Sequence, residues 1–594
     1  MGTARRLYLY LVSGVGLALV VGGAITMLRL LLAHAAAGAF PPASVFGPSV
    51  QLGFDPDREA LSGAIAMMAV GIPLWLIHWA LVQRMTAGDG EDAAAERASI
   101  VRSAYFGLVM IYLLVAGAGA LVVFLREGFA RTLGAQDPFG FVSLSDSAST
   151  AVIYLAAWLA HAWWRAQDLR GGRPLQSAAA WIGRLYLYGA ALVALVAALG
   201  AASGLIGTTI DIAAGHVDNA FPTIYGNVPP AVGFYGQNVP FVPQAAVWWV
   251  RPILSMLVQL VVWAPLWALH WLYSVRLTAG DEPQARSERA SRVRLTFFIA
   301  VVAIGVGYLV WGLGQGLAVA LGAVAGVGTW AGSGPLWRDV AVPLATALPL
   351  ALAWWWHRRR VLLEGDSSDW PDTPARAIGY LTAFIGVGAF AYGLATGVGL
   401  ILQRLSETAS SDAYLLEGWR WQAVQGIALA AVALPIWLWP WLALRRRLRL
   451  DHAAEAGSTA RRAYLFGVIG LTILAMAAAT ASIVFRVTRL ALGLQASSVG
   501  SEIGYAVATL FITAPLLAYH LAALRADLAL SGESAVAVAV EAGASGVSAT
   551  PATQELVIVG PPGVNLDALK ASLAARLPDG YSIRVRASDD TPAP

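Results

Sequence analysis

The sequence predicts an all-α polytopic membrane protein with about 12 transmembrane helices, arranged as six two-helix units. Three observations support this fold class. The chain of 594 residues is 58% hydrophobic and only 12% charged, whereas about a quarter of the residues of a soluble domain are charged. Its apolar runs are long enough to cross about 30 Å of hydrocarbon as helices. One short motif also recurs along the chain, which indicates an internal repeat.

The apolar runs define the predicted helices. A β-barrel is excluded because the runs lack the alternation of barrel strands, and a helix pairs all its backbone groups within one segment, as lipid requires. In chain order, the predicted spans are residues 7–32, 61–82, 104–125, 149–166, 183–208, 252–274, 295–322, 339–357, 377–402, 422–444, 463–485 and 503–524.

The recurring motif is a Trp followed three residues later by a His, near the end of the second helix of a unit. Leu517 replaces the Trp in one unit, and Pro440 replaces the His in another. Each unit also opens with an Arg four residues before an aromatic residue, on the same helix face. These residues are predicted to form a ring at one membrane interface, made of His78, His161, His270, His357, His520, Arg6, Arg102, Arg184, Arg294, Arg376 and Arg462.

The units pair into larger copies. Residues 73–102 match residues 265–294 at a constant offset of 192, and a third copy is more diverged. The sequence therefore predicts three four-helix blocks, which are parallel because each has an even number of crossings. The blocks cover residues 1–180, 181–370 and 371–530.

Repeated small residues have predicted structural roles. Gly88 and Gly280 suit positions just after the end of a helix, and Ser99 and Ser291 suit N-caps. Gly312 and Gly316 have the spacing that lets two membrane helices approach closely. Local structure therefore explains these repeats without a binding role.

The C-terminal segment differs in composition from the membrane blocks. Residues 531–554 are rich in Ala, Gly, Ser, Thr and Val, which predicts a linker. Residues 555–594 are predicted to form a small cytoplasmic βαβ tail. Such a tail is too short to bury a core alone, so we expect it to lean on the membrane part, pair with another copy or bind a protein partner.

The cations predict the orientation. Of the 39 Lys and Arg residues, 29 lie in the N-terminus, the loops between units and the C-terminus. By the positive-inside rule, both termini are cytoplasmic and the protein is a multi-pass component of the inner membrane. The predicted partner of its surface is the lipid bilayer, and no nucleic-acid-binding module is present.

Several chemistries are excluded or disfavoured. The chain has no Cys, which excludes disulfides and thiolate chemistry. The middles of the predicted spans lack Asp, Glu, Lys and Arg, and such residues usually mark ion pathways. Residues 560–563 lack the Lys-Ser/Thr pair of a phosphate-binding loop. The sequence therefore predicts neither an enzyme nor a cofactor.

Two sets of side chains have competing interpretations. The five His residues suit haem or metal ligation, pH sensing, or anchoring at the interface by bonding to lipid head groups, a neighbouring Arg or a backbone carbonyl. Pro440 in one slot favours anchoring. Arg126 and Arg486 are matched at the outer ends of two helices, either as an anion site or as cations that snorkel to lipid phosphates.

The unit, opened by Arg with an aromatic residue and closed by Pro-X-Trp-X-X-His, resembles an uncharacterised bacterial membrane repeat, the domain of unknown function numbered 5671. The resemblance covers about residues 1–530, with several copies in tandem. It implies a membrane fold, and it brings no activity, cofactor or site residue.

Three functional hypotheses follow. The leading one is a non-enzymatic scaffold or sensory membrane protein that acts through its cytoplasmic rim and tail. The alternative is a passive channel or transporter with a cavity between the blocks. The second alternative is a membrane haem protein for electron transfer. The oligomeric state is left open by the sequence.

Overall fold

The chain is helical throughout the described part of its computed structural model, which contains 14 helices and no strand. Twelve of these helices have 25 residues or more, and they form hairpins between antiparallel neighbours. The structure describes residues 3–36, 38, 56–88, 90–133, 143–169, 177–215, 250–327, 335–364, 374–406, 413–450, 455–492 and 499–544.

The helices follow the predicted blocks. The first block contains α1 (Thr3–Ala35), α2 (Pro56–Thr86), the short α3 (Glu91–Arg97), α4 (Ile100–Thr132) and α5 (Leu144–Asp168). The second contains α6 (Ala178–Ala213), α7 (Val250–Leu277), the short α8 (Pro283–Arg289), α9 (Arg292–Val324) and α10 (Leu336–Glu364). The third contains α11 (Pro374–Ser406), α12 (Ala413–Leu450), α13 (Thr459–Ala491) and α14 (Val499–Ala544).

Each predicted span falls on a long helix, but 11 of these helices, not 12, are long and apolar enough to cross a membrane. The exception is α5. Its first turns contain Ser145, Asp146 and Ser147, and its second half contains three Trp residues and a His. Because of these residues, no stretch of α5 long enough to cross a membrane is as apolar as those of the other long helices. The chain is nevertheless a multi-pass membrane protein by the composition of the remaining helices.

The chain divides into two compact units, Met1–Arg525 and Ala526–Pro594. In the second unit, the described residues 526–544 are helical and continue α14. The linker over residues 531–554 stays a prediction, and its described part, residues 531–544, is helical, as its Ala and Glu residues favour. The predicted βαβ tail, residues 555–594, lies outside the described residues.

Glycines bring the hairpin helices into backbone contact. A Cβ atom on Gly16 would lie 2.7 Å from the backbone nitrogen of Trp75, and one on Gly386 would lie 2.6 Å from that of Trp437. A Cβ atom on Gly312 would lie 2.6 Å from the carbonyl oxygen of Pro343. The predicted close packing at Gly312 is confirmed, since only a residue without a side chain fits there.

The blocks are joined by a repeated contact. Within the first two blocks, the first helix packs against the third and fourth. Between blocks, α4 packs against α6 and α7, and α9 packs against α11 and α12. The third helix of one block therefore contacts the first two helices of the next. We call this contact the block joint.

Candidate functional site

Each block buries a network of charged side chains where its first and third helices begin, which we call the arginine end. In the first block, Arg6 Nε lies 2.6 Å from Glu96 Oε2. The Tyr10 hydroxyl donates to Glu96 Oε1 at 3.2 Å and accepts from Arg102 Nη1 at 3.1 Å. Arg102 also donates twice to Asp168, at 2.7 and 2.8 Å. One continuous network therefore links α1, α3, α4 and α5.

The second block repeats this network. Arg184 Nε lies 2.8 Å from Glu288 Oε2, and the Tyr188 hydroxyl donates to Glu288 Oε1 at 2.8 Å. Arg294 Nη1 donates to the Tyr188 hydroxyl at 2.8 Å, and the guanidinium lies over the Phe298 ring. The chemistry and the order of the residues along the chain match the first block.

The third block contains the same network with one change of register. Arg376 Nε lies 2.9 Å from Glu455 Oε2, and the Tyr380 hydroxyl donates to Glu455 Oε1 at 2.6 Å. The buried Arg that donates to Tyr380 is Arg461, at 3.3 Å. The predicted residue, Arg462, is exposed.

The misplacement of Arg462 has a simple cause. Two Arg residues are adjacent here, and the predicted spacing of four to an aromatic residue selected Arg462 and Phe466. Phe466 is 58% exposed, whereas Leu465 is buried. The correct register follows from the N-cap, because the Ser458 hydroxyl accepts from the backbone nitrogen of Arg461.

Helix caps, glycine turns and Arg–carbonyl hydrogen bonds fix the segments that connect the helices. Ser99, Ser291 and Ser458 each accept a hydrogen bond from the backbone nitrogen three residues later. Gly88 and Gly280 have φ angles of +91° and +80°, which favour glycine. The predicted caps and helix ends are confirmed. Arg97 also donates to the carbonyl oxygens of the loop before α3, and Arg289 does the same before α8.

The network charges are almost fully removed from solvent. Arg102 is 0% exposed, Glu96 2% and Glu455 0%. Charge-assisted hydrogen bonds are about twice as strong as neutral ones, and here they satisfy both oxygens of Glu96 and of Glu288. Glu455 has a hydrogen bond at Oε1 and an ion pair with Arg376 at Oε2. The arrangement fixes the connection between the second and third helices of a block. The structure places the predicted Arg residues in three separate networks, with the exposed Arg462 outside them.

The His residues make a second, uniform set of contacts. In all five, Nδ1 lies 2.7–2.8 Å from the carbonyl oxygen four residues earlier. A carbonyl only accepts, so Nδ1 carries the hydrogen, and Nε2 of the neutral ring is an acceptor. In four of the five, Nε2 lies 3.0–3.3 Å from a Tyr hydroxyl, in the pairs Tyr8/His78, Tyr105/His161, Tyr186/His270 and Tyr464/His520.

Among the anchoring partners considered for the His residues, these contacts favour a backbone carbonyl. The partner is a backbone carbonyl of the same helix, together with a Tyr of the same unit. His161, His270, His357 and His520 are buried, and His78 is half-buried. In the described part of the chain, no three His, Asp or Glu residues lie close enough together to share a metal ion.

Two units depart from the Tyr/His pattern. Where Pro440 replaces the His, Ile378 occupies the place of the Tyr, so both hydrogen-bonding groups are lost together. In the unit of His357, Phe297 replaces the Tyr. His357 Nε2 is buried and has no hydrogen-bond partner. It lies among aromatic rings, including Trp271 at 5.0 Å between ring centroids.

We expect the substitution Phe297→Tyr to stabilise the protein by about 1 kcal/mol, because the new hydroxyl would donate to His357 Nε2. The expected increase appears as a higher midpoint of unfolding in a denaturant titration of the purified protein. The matched variant Tyr464→Phe removes the hydroxyl bonded to His520 and should have the opposite sign. An unchanged or lower midpoint for Phe297→Tyr would contradict the expectation.

Several network residues were missed by the sequence analysis. Glu96 and Glu288 lie in the repeated Glu-Arg-Ala-Ser string, but the string was interpreted only through its Ser caps. An acidic residue also follows the His by seven residues in three units, at Asp168, Glu364 and Asp527. This spacing places it two turns later on the same helix face, and it would have indicated a partner for the Arg of the third helix.

A comparison with protein families supports the repeat. Residues 6–142 and 376–514 each match the model of a domain of unknown function (DUF5671). The two matches are consistent with tandem copies of this domain. The two DUF5671 matches begin at Arg6 and Arg376, the first network residues of the first and third blocks. Each spans three or more long helices, so the family model is larger than one two-helix unit. No curated protein and no solved structure matches the chain.

Proposed function

We infer that the protein is a non-enzymatic scaffold or sensor of the inner membrane that acts through its cytoplasmic rim and tail. The inference rests on a structural difference between two parts of each block. Buried ionic networks and defined connecting segments lie at the arginine end, whereas the hairpin seams are closed by glycine contacts. A rigid rim of fixed polar geometry suits a docking surface for another protein.

The inference includes twelve crossings, with α5 as the twelfth. α5 packs against α4 and α1, as α10 packs against α9 and α6. Its 25 residues give a length of about 37 Å, enough for a core of about 30 Å. Twelve crossings place both termini on one side, and the positive-inside rule makes that side the cytoplasm. The three four-helix blocks are then parallel.

The packing between helices favours a scaffold or sensor over a channel. One pocket between helices of the described residues is lined only by apolar and glycine residues, including Leu195, Gly305 and Leu350. Its volume is about 10 Å³, at the lower limit of the space that one water molecule needs. A transport path for a polar solute requires far more space and polar lining.

The His contacts favour the same function over electron transfer through haem. Axial ligation needs a free ring nitrogen, and both nitrogens of four His rings have partners within the protein. The remaining acceptor, His357 Nε2, is enclosed by Trp271, Trp356 and Phe297. Ligation by any of these residues would require the local packing to open.

A flux assay and site-specific photo-crosslinking test the function together. Vesicles that contain the protein should release small ions and solutes no faster than empty vesicles. In cells, a photo-reactive residue at the exposed Asp92 of α3 should give a discrete adduct that depends on residues 555–594. The same probe at Leu133, at the other end of α4, is the matched control. Rapid release, or equal adducts at both positions, would contradict the inference.

A further inference from the structure

The block joint has the same composition of helices each time it occurs. It uses the third helix of one block and the first two helices of the next, so its two sides are different surfaces. Such heterologous contacts do not close by themselves, and they leave one unused surface of each kind at the ends of an assembly. Among the described residues, the surfaces of this kind that contact no further block are on α13 in the third block and on α1 and α2 in the first.

Buried apolar side chains form the centre of the joint. In the first joint, Ala118 and Val122 of α4 cluster with Val258 and Val262 of α7, and all four are buried. In the second joint, a Cβ atom on Gly314 of α9 would lie 3.8 Å from the Cβ atom of Leu429. Val122 and Gly314 are equivalent, because each follows the buried Arg of its helix by 20 residues.

The joint also has a pair of matched positions, one on each side, far from the arginine end. The first member lies 25 residues after the buried Arg, and the second lies 19 residues before the His slot. In the first joint, these are Glu127 and Arg251, with Arg251 Nη2 2.8 Å from Glu127 Oε1. In the second joint, they are Val319 and Trp421, which belong to one buried cluster. Both joints therefore place chemically compatible side chains at this pair.

The unused surfaces are apolar and exposed. On α13, the equivalents of the buried joint residues are Ala477 and Ala481, which are exposed, and the neighbouring Val484 is 58% exposed. On α2, they are Ala66 and Val70, and Val70 is 59% exposed. Exposed apolar faces alone are normal for helices that contact lipid, so a second observation is needed.

The charges at the matched positions supply that observation. Twenty-five residues after Arg461 is Arg486, and 19 residues before His78 is Glu59. The unused surfaces thus carry the opposite charges found in the first joint, with the signs exchanged between the two sides. With the register of Arg461, Arg486 is equivalent to Glu127, which corrects its predicted match with Arg126. A second joint of this kind would pair these opposite charges.

We propose that a second copy of this chain completes the joint, with α13 of one copy packed against α1 and α2 of the next. Arg486 then faces Glu59 across the contact, as Glu127 faces Arg251 within the chain. The association is head-to-tail, because its two sides are different surfaces. It uses only residues of the first compact unit and is independent of the proposed function.

Disulfide trapping tests the contact directly, since the native chain has no Cys. Ala481 and Met67 are the equivalents of Gly314 and Leu429, whose 3.8 Å separation suits a disulfide. Two singly substituted chains, Met67→Cys and Ala481→Cys, are co-expressed with different affinity tags and oxidised in the membrane. We expect a disulfide-linked dimer that contains both tags. The matched control replaces Ala481→Cys by Thr480→Cys, an exposed neighbour rotated by about 100° around α13.

Charge reversal provides an independent readout on the same trapped dimer. Glu59→Arg in the Met67→Cys chain should lower the yield by about two- to fivefold, because two cations then face each other. Arg486→Glu in the partner chain should restore the yield. Equal yields at positions 481 and 480, or disulfides between two copies of the same single variant, would overturn the proposal. Both substitutions lie at exposed or outer-end positions, and monodisperse elution verifies that the chains are folded.

Discussion

Replacing Arg102 with Met is expected to lower the free energy of unfolding by about 3–5 kcal/mol. Arg102 is fully buried and donates twice to Asp168, at 2.7 and 2.8 Å. Met preserves much of the side-chain volume but leaves a buried carboxylate without its main partner. The measurement is a denaturant titration in mixed micelles, followed by the fluorescence of the Trp residues.

Two further variants separate the charge from the packing. Arg5→Met changes an exposed Arg in the first helix and should alter the free energy of unfolding by less than about 0.5 kcal/mol. Arg102→Met combined with Asp168→Leu removes both charges and should recover most of the loss. If Arg102→Met and Arg5→Met were equally stable, the buried network would have no structural role.

Replacing Gly386 with Val is expected to cost about 3 kcal/mol or to prevent assembly of the third block. A Cβ atom at this position would lie 2.6 Å from the backbone nitrogen of Trp437. Because the obstacle is backbone, relief requires α11 and α12 to move apart. The same seam holds the first Arg and Tyr of the network in place. We expect a lower midpoint of thermal unfolding and a smaller fraction of monodisperse protein.

Gly388 provides the matched control for this substitution. It lies two residues later in the same helix, and a Cβ atom there would meet nothing within 4 Å. Gly388→Val should therefore change stability by less than about 1 kcal/mol, since Val and Gly have similar helix propensities. A result in which both Val variants are equally unstable would show that helix propensity, and not the seam, determines the loss.

The positions of the helices followed from the sequence because apolar length and composition act locally. The twelve long helices, the Ser caps and the positive φ of Gly88 needed no knowledge of tertiary contacts. The spacing of four between Arg6 and Tyr10 also placed both on one face. Composition was less decisive at α5, which is less apolar than the other predicted spans, and at residues 531–544, whose helix the sequence analysis did not predict.

The candidate site was harder to predict because its partners meet across loops. Spacing within a helix reveals that Arg102 and Phe106 share a face, but it does not reveal that Asp168 lies opposite. Glu96 was visible only as part of a repeated string, which the Ser caps already explained. In the diverged third copy, adjacent Arg residues left the register ambiguous by one position, and the cap at Ser458 resolves it.

The repeated block joint has an energetic consequence for the whole membrane part. In the described residues, the extensive contacts between blocks join the first to the second and the second to the third. Stability in such a row is approximately a sum over modules and nearest-neighbour contacts. The middle block is held from two sides and each terminal block from one. Unfolding under heat or force is therefore expected to begin at the terminal blocks, with the middle block as the last cooperative element.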